Sequence, residues 1–215
     1  MIGMINREVD RGRVVLSRSS NTIPMFTEPK RDTSNEARLL LYCITRTVVT
    51  HKDNPPMSGI EQIIYCVGSR RFRHKLHLID GCHNIKIHSE SLKDCSFSCQ
   101  MRKYDSLIIE QGDGNAPAPI MRAMNFLFRN IKDLRIYLDY IHITNHTYEE
   151  DINSIRALMK TAKDYKLWFI NDMCQFMPAR MQILRNILTD QGLDVDPDEI
   201  DHISKFPKAG NTSQL

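Results

Sequence analysis

Three short apolar runs, centred on Leu107, Leu134 and Leu167, each precede a stretch patterned for a helix, and they stand 27 and 33 residues apart. A helical crossover between parallel strands takes a dozen or more residues, which these intervals supply. Strand-helix units recurring at this length constrain the chain to one of two α/β architectures: a small parallel sheet or a curved, repeat-like solenoid. The strand at 106–110 leads through Pro117 and Pro119, with a proline suited to the first helical position. The helix that follows carries Ile120, Met124, Leu127, Phe128 and Ile131 on one face. The strand at 133–143 leads to Thr147, whose hydroxyl can cap a helix while Glu150 reaches back, and then to Ile152, Ile155, Leu158 and Met159. The strand at 165–170 leads to Pro178 and a helix with Met181, Leu184, Ile187 and Leu188, ended by Gly192. The stretch from Asp196 to Glu199 opens a last short helix.

Upstream of these units the pattern is helical. Leu40, Cys43, Ile44, Thr47 and Val48 share one face of a helix over 36–50, stopped by Asn54, Pro55 and Pro56. Ile60, Ile63, Ile64 and Val67 follow at i, i+3, i+4 and i+7, with Gly68 placed to close that helix. Short strands are expected at 76–79, 85–87 and 96–97. Residues 1–34 have no sustained period and read as a flexible lead-in with a short strand near Val14–Leu16. The expected organisation is one α/β domain over 35–204. A helical cap at 35–68 sits on strand-helix units at 70–204, and a flexible tail occupies 205–215. At 215 residues the chain can bury a core without disulfides or metal.

Composition excludes several classes. Hydrophobic residues are 41% and charged residues 26%, which rules out collagen, coiled coil and wholesale disorder. The longest purely apolar run, Leu39 to Ile44, falls far short of the roughly 20 residues of a membrane span. Arg7, Glu8, Asp10 and Arg11 interrupt the N-terminus and leave no secretory signal, so the reading is an intracellular protein, cytoplasmic or nuclear. Six cysteines are then expected as reduced, small apolar side chains, and the sequons at Asn145 and Asn211 as accidental. Residues 1–105 hold 17 Lys and Arg against 11 Asp and Glu, a balance of +6, whereas 106–215 hold 12 against 15, a balance of −3. The asymmetry hints at an anionic partner for the first half.

One segment speaks for the solenoid. Ile131, Leu134, Ile136, Asp139 and Ile141 match the spacing L-x-x-L-x-L-x-x-N-x-L, with Asp139 in the asparagine position. Cys82, Ile85, Ile87, Glu90 and Leu92 repeat the apolar positions, with Glu90 for the asparagine. On these residues the stretch 82–175 resembles irregular leucine-rich repeats of the kind found in F-box substrate-recognition proteins. The resemblance implies a non-enzymatic protein-recognition module, a substrate adaptor of a ubiquitin ligase, with another protein as its partner. Its concave face would carry Lys86, His88, Ile108, Glu110, Arg135, Tyr137, Lys166 and Trp168, and Trp, Tyr and Arg are the side chains most enriched at binding hot spots.

The alternative function is nucleic-acid binding through the densest basic run, where Arg70, Arg71, Arg73 and Lys75 could neutralise phosphates while Phe72 stacks on a base. Other chemistry is thinly represented. Cys82, His83, His88, Cys95 and Cys99 are of zinc-ligand type, but offer one C-x3-C and no second pair. Gly112, Asp113 and Gly114 form a turn of the kind that cradles phosphate, without the lysine and hydroxyl of a P-loop. Asp139 and Asp172 fall near the ends of adjacent expected strands, where two carboxylates could share acid-base work, although turn capping explains both. No catalytic residue, cofactor or metal is therefore expected.

Overall fold

The computed structural model describes residues 2–29, 37–55, 59–99, 102–110 and 112–205. In chain order the elements are α1 (Ile2–Asp10), β1 (Val14–Leu16), β2 (Ile23–Pro29), β3 (Ala37–Leu41), α2 (Ile44–Val49), α3 (Ile60–Gly68), β4 (Phe72–His77), β5 (Ser96–Cys99) and β6 (Arg102–Ser106). They continue with α4 (Pro117–Leu127), β7 (Leu134–Tyr137), β8 (Tyr140–Asn145), α5 (Tyr148–Asp164), β9 (Gln175–Phe176), β10 (Arg180–Ile183), β11 (Asn186–Thr189), β12 (Gly192–Val195) and α6 (Pro197–Ser204). Short 3-10 turns lie at Gly81–Asn84, Ser89–Asp94 and Asn171–Met173.

The strands form three sheets: β1-β6-β5-β2-β3, β7-β8-β4-β9 and β10-β11-β12. Every pairing is antiparallel except the short one of β2 with β5. The mixed α/β character agrees with the sequence, but the architecture is neither a parallel sheet nor a repeat solenoid. The expected strand at 133–143 is a hairpin that turns at Leu138 and Asp139, with Leu138 in left-handed backbone (φ 53°). The leucine-rich spacing therefore runs straight across a chain reversal. The expected strand at 165–170 contributes one bridge, Phe169 to Leu78. The helix expected after Pro178 is the β10-β11-β12 meander, turning at Leu184 (φ 58°) and again before Gly192. The helix expected over 36–50 divides into β3 and α2, since Leu41 is buried in sheet pairing with Met25.

Other elements follow their sequence signals. α4 begins on Pro117, α3 buries Ile63 and Val67, and α5 carries the complete capping box of Thr147 and Glu150. The opening stretch, read as a lead-in around one short strand, adds α1 and β2 to β1. Residues 30–34 of that stretch, the tail over 206–215 with Asn211, and the side chain of Cys82 lie outside the described residues.

The four-stranded sheet organises the core. On one face Leu76, Ile136, Ile141 and Ile143 pack against Ile120, Met121, Met124 and Phe128 of α4 and Leu158 and Ala162 of α5. Alternation sends Arg73, Lys75, His77, Tyr140 and His142 to the opposite, polar face. There α3 and the meander pack together through Ile63, Val67, Met181, Ile183 and Leu188, with Tyr137 of β7 against them. A separate core in the five-stranded sheet holds Ile5, Val14, Leu41, Cys43, Phe97, Cys99 and Tyr104.

Candidate nucleic-acid interface

The basic segment runs into β4: Phe72, Arg73 and Lys75 lie on the strand, and Arg70 and Arg71 just before it. Phe72 is buried, its ring 6.3 Å from that of Tyr148, and so cannot stack on a base. Arg73 is buried and ion-paired with Asp190 of the meander turn. Arg70 reaches Asp133 at 3.4 Å, and Lys75 Nζ donates to the Gln182 carbonyl at 2.8 Å. Arg71 stays exposed, its guanidinium 5.6 Å from the Phe72 ring centre.

The residues expected on a concave face are dispersed. Lys86 and His88 are exposed near the five-stranded sheet, where Lys86 bridges to Ile108 and His88 caps the 89–94 turn. Glu110 is buried and accepts from Ser106 Oγ at 2.7 Å; burial pushes its carboxyl upward. Arg135 and Tyr137 lie half-buried on β7. Lys166 and Trp168 are exposed after α5, with Trp168 at 69%. The zinc-type residues likewise sit on different elements: His83 in the 81–84 turn, His88 and Cys95 on either side of the next, and Cys99 inside the five-stranded core.

One polar centre does emerge, at the tip of the β7-β8 hairpin. The register of β4 against β8 sets His77 opposite Tyr140, and their rings stack at 4.4 Å with 21° between planes. Lys75, two residues earlier on the same face, holds Nζ 4.7 Å from the centre of the Tyr140 ring. Burial lowers the basicity of both Lys75 and His77, and the Asp139 carboxylate works against this at His77. Asp139 itself occupies the turn. Its carbonyl accepts from Leu78 N at 2.9 Å, and its Oδ1 is buried without a hydrogen bond. The approach is so close that a Cβ on Gly81 would stand 2.0 Å from Oδ1, so glycine is required there. Burial pushes the Asp139 carboxyl upward. Asp80, by contrast, faces away into a charged network. The His83 ring at 3.8 Å and Arg13 at 3.0 Å hold its carboxyl far below the usual range. Asp172 sits exposed on the 171–173 turn.

No family model matches the chain. The chain is 27% identical over 208 residues to the retrovirus-related Pol polyprotein from transposon 297 of Drosophila melanogaster, an alignment covering 94% of this chain and 20% of that polyprotein. It superposes with a TM-score of 0.86 on the foamy viral protease-reverse transcriptase in complex with double-stranded DNA, at 16% identity over 98% of this chain and 37% of that one. The same viral protein in complex with RNA/DNA hybrid gives a TM-score of 0.82 over 98% of this chain and 28% of that one. The fold is shared with part of a viral protease-reverse transcriptase. This overturns the likeness to leucine-rich repeats and with it the ubiquitin-ligase adaptor. It also corrects the non-enzymatic reading, since the proteins matched are Pol polyproteins and reverse transcriptases, which are enzymes. Among the described residues no helix is long and apolar enough to cross a membrane.

Polymerase chemistry uses two divalent cations held about 3.5–4 Å apart, bound in part by carboxylates. Among the described residues no group of three or more His, Cys, Asp or Glu side chains is arranged to hold a metal ion. Asp139 is the carboxylate of the hairpin tip, and among the described residues it forms no ion pair, although the His77 and His83 rings act on it from a distance. The donor set does not fit a paired-cation centre.

Sequence reasoning singled out Asp139 but missed His77, Gly81 and Tyr140. The missing signal was the hairpin: once β8 pairs with β4 in antiparallel register, 77 and 140 must meet.

Proposed function

We propose that this chain handles nucleic acid as the reverse-transcriptase-type segment of a Pol-like polyprotein. The observation that carries the reading is the superposition of nearly the whole chain on a protein held on double-stranded DNA. Ile79 N donates to the Trp168 carbonyl at 2.8 Å and Phe169 bridges to Leu78, which sets the exposed Trp168 and Lys166 at the end of β4. An exposed indole beside a cation suits a strand of stacked bases and phosphates. These two residues thus serve a nucleic-acid surface rather than the concave protein face first expected.

Fluorescence anisotropy with a labelled DNA duplex and an RNA/DNA hybrid, titrated with the full chain across a salt series, tests the proposal. Saturable binding whose logarithm falls linearly with the logarithm of salt is expected, with Trp168→Ala and Lys166→Glu each weakening it. Absence of binding to both duplexes at low salt would overturn it.

A further inference from the structure

The hairpin tip is built from an aromatic pair, a cation and one carboxylate. Directly opposed side chains of antiparallel strands stand about 4.5–5.5 Å apart at Cβ, so 77 and 140 are where two carboxylates could converge with Asp139. His77 and Tyr140 fill those positions with stacked rings. Behind them Lys75 is fixed on two sides, by the Gln182 carbonyl and by the Tyr140 ring, and puts a positive charge where an incoming cation would have to approach. His77 is turned aside, its Nδ1 2.8 Å from Met173 Sδ. Asp80, the other carboxylate that acts on Asp139, is already engaged by Arg13. Among the described residues Asp139 is the one carboxylate with a buried oxygen that makes no hydrogen bond, pressed against Gly81; the other such oxygen is the amide Oε1 of Gln175, opposite Lys75 in the register.

We infer that this tip takes no more than one divalent cation, because His77 and Tyr140 fill with stacked rings the two facing positions from which further carboxylates could join Asp139, and that the chain engages nucleic acid independently of divalent cations. The cation half stands on the tip geometry alone; the second half rests on the function proposed above. A lone carboxylate leaves most of a divalent ion's coordination to water, so any binding there is weak.

Manganese titration of the full chain, followed by the electron paramagnetic resonance of free Mn²⁺, tests the cation half. At most one equivalent bound, and that one lost in Asp139→Asn, is the expected result. Two equivalents on the native chain, both lost in Asp139→Asn, would overturn it. The double variant His77→Asp with Tyr140→Asp should gain a second equivalent. If circular dichroism shows it folded and no second equivalent appears, the two rings are not what displaces the ion. If it does not fold, the native titration alone decides. For the second half, duplex affinity should change by less than about twofold between EDTA and millimolar Mg²⁺ at matched ionic strength, where counterion release is held constant. A tenfold or greater gain with Mg²⁺ would overturn it. No binding in either condition would instead remove the proposed function and leave the Mn²⁺ result standing.

Discussion

His74 Nε2 lies 2.9 Å and 3.0 Å from the two carboxylate oxygens of Asp151, 77 residues further along the chain, with both side chains buried. Asn145 Nδ2 donates to the same carboxylate at 3.0 Å, so one buried acid ties β4, β8 and α5 together. Removing it strands two polar groups in an apolar layer. Asp151→Ala should therefore cost about 3 kcal/mol, read as a drop in the urea midpoint with an unchanged slope. A loss under about 1 kcal/mol would mean the network contributes little beyond shape.

His142 lies buried behind Lys75, and burial pushes its basicity down to about 4. The unfolded chain takes up a proton on this ring near pH 6.5, before the folded chain does. Stability from this group is thus full above pH 6.5 and is lost as pH falls from there towards 4. Each unit of difference is worth about 1.4 kcal/mol, so the loss is on the order of 3 kcal/mol. Urea unfolding at pH 7 and pH 4.5 should show it, and His142→Phe should flatten the dependence. An equal pH slope in the variant would assign the acid sensitivity elsewhere.

The capping box at α5 is exposed and makes a cleaner test of local structure. Thr147 Oγ accepts from Glu150 N at 3.3 Å, and Glu150 accepts from Thr147 N at 3.0 Å. Thr147→Ala should cost about 1 kcal/mol, and Thr147→Ser much less. Thermal unfolding of the two variants separates loss of the hydroxyl from loss of the methyl.

Gly81 and Asp139 should behave as a coupled pair. Gly81→Ala drives a methyl to 2.0 Å from the Asp139 carboxylate, so one of the two must shift. A cost of about 1–3 kcal/mol is expected for the single change, as for other overpacked sites. In the double variant with Asp139→Ala most of that cost should vanish, giving a double-mutant coupling well above the error of additivity. Strict additivity of the two changes would show that the tip relaxes independently of the 81–84 turn.

The parts of the fold carried by local chemistry could be read in advance. Pro117 opens α4, Thr147 and Glu150 open α5, and the spacing of Ile63 and Val67 buries α3. The parts that failed were turns without turn residues. Leu138 and Leu184 adopt left-handed backbone where glycine or asparagine would normally announce a reversal, so one hairpin reads as a single strand and a meander reads as a helix. Tertiary pairing supplies what the local sequence withholds: Leu138 N donates to Met121 Sδ at 3.3 Å, and Asp139 is tied to Leu78. The candidate site suffered the same fate. Asp139 stood out by type, yet its neighbours His77 and Tyr140 lie 63 positions apart and meet only through that pairing.

Trp168 is the only tryptophan of the chain and remains 69% exposed beside Ile79 at the end of β4. An indole in that position is a native optical reporter with an unusual division of labour. A ring this exposed should emit as it would in water even in the folded chain, so unfolding should barely shift the colour. A nucleic acid strand stacking on that indole, by contrast, would quench it directly, separating occupancy from stability in a single label-free spectrum.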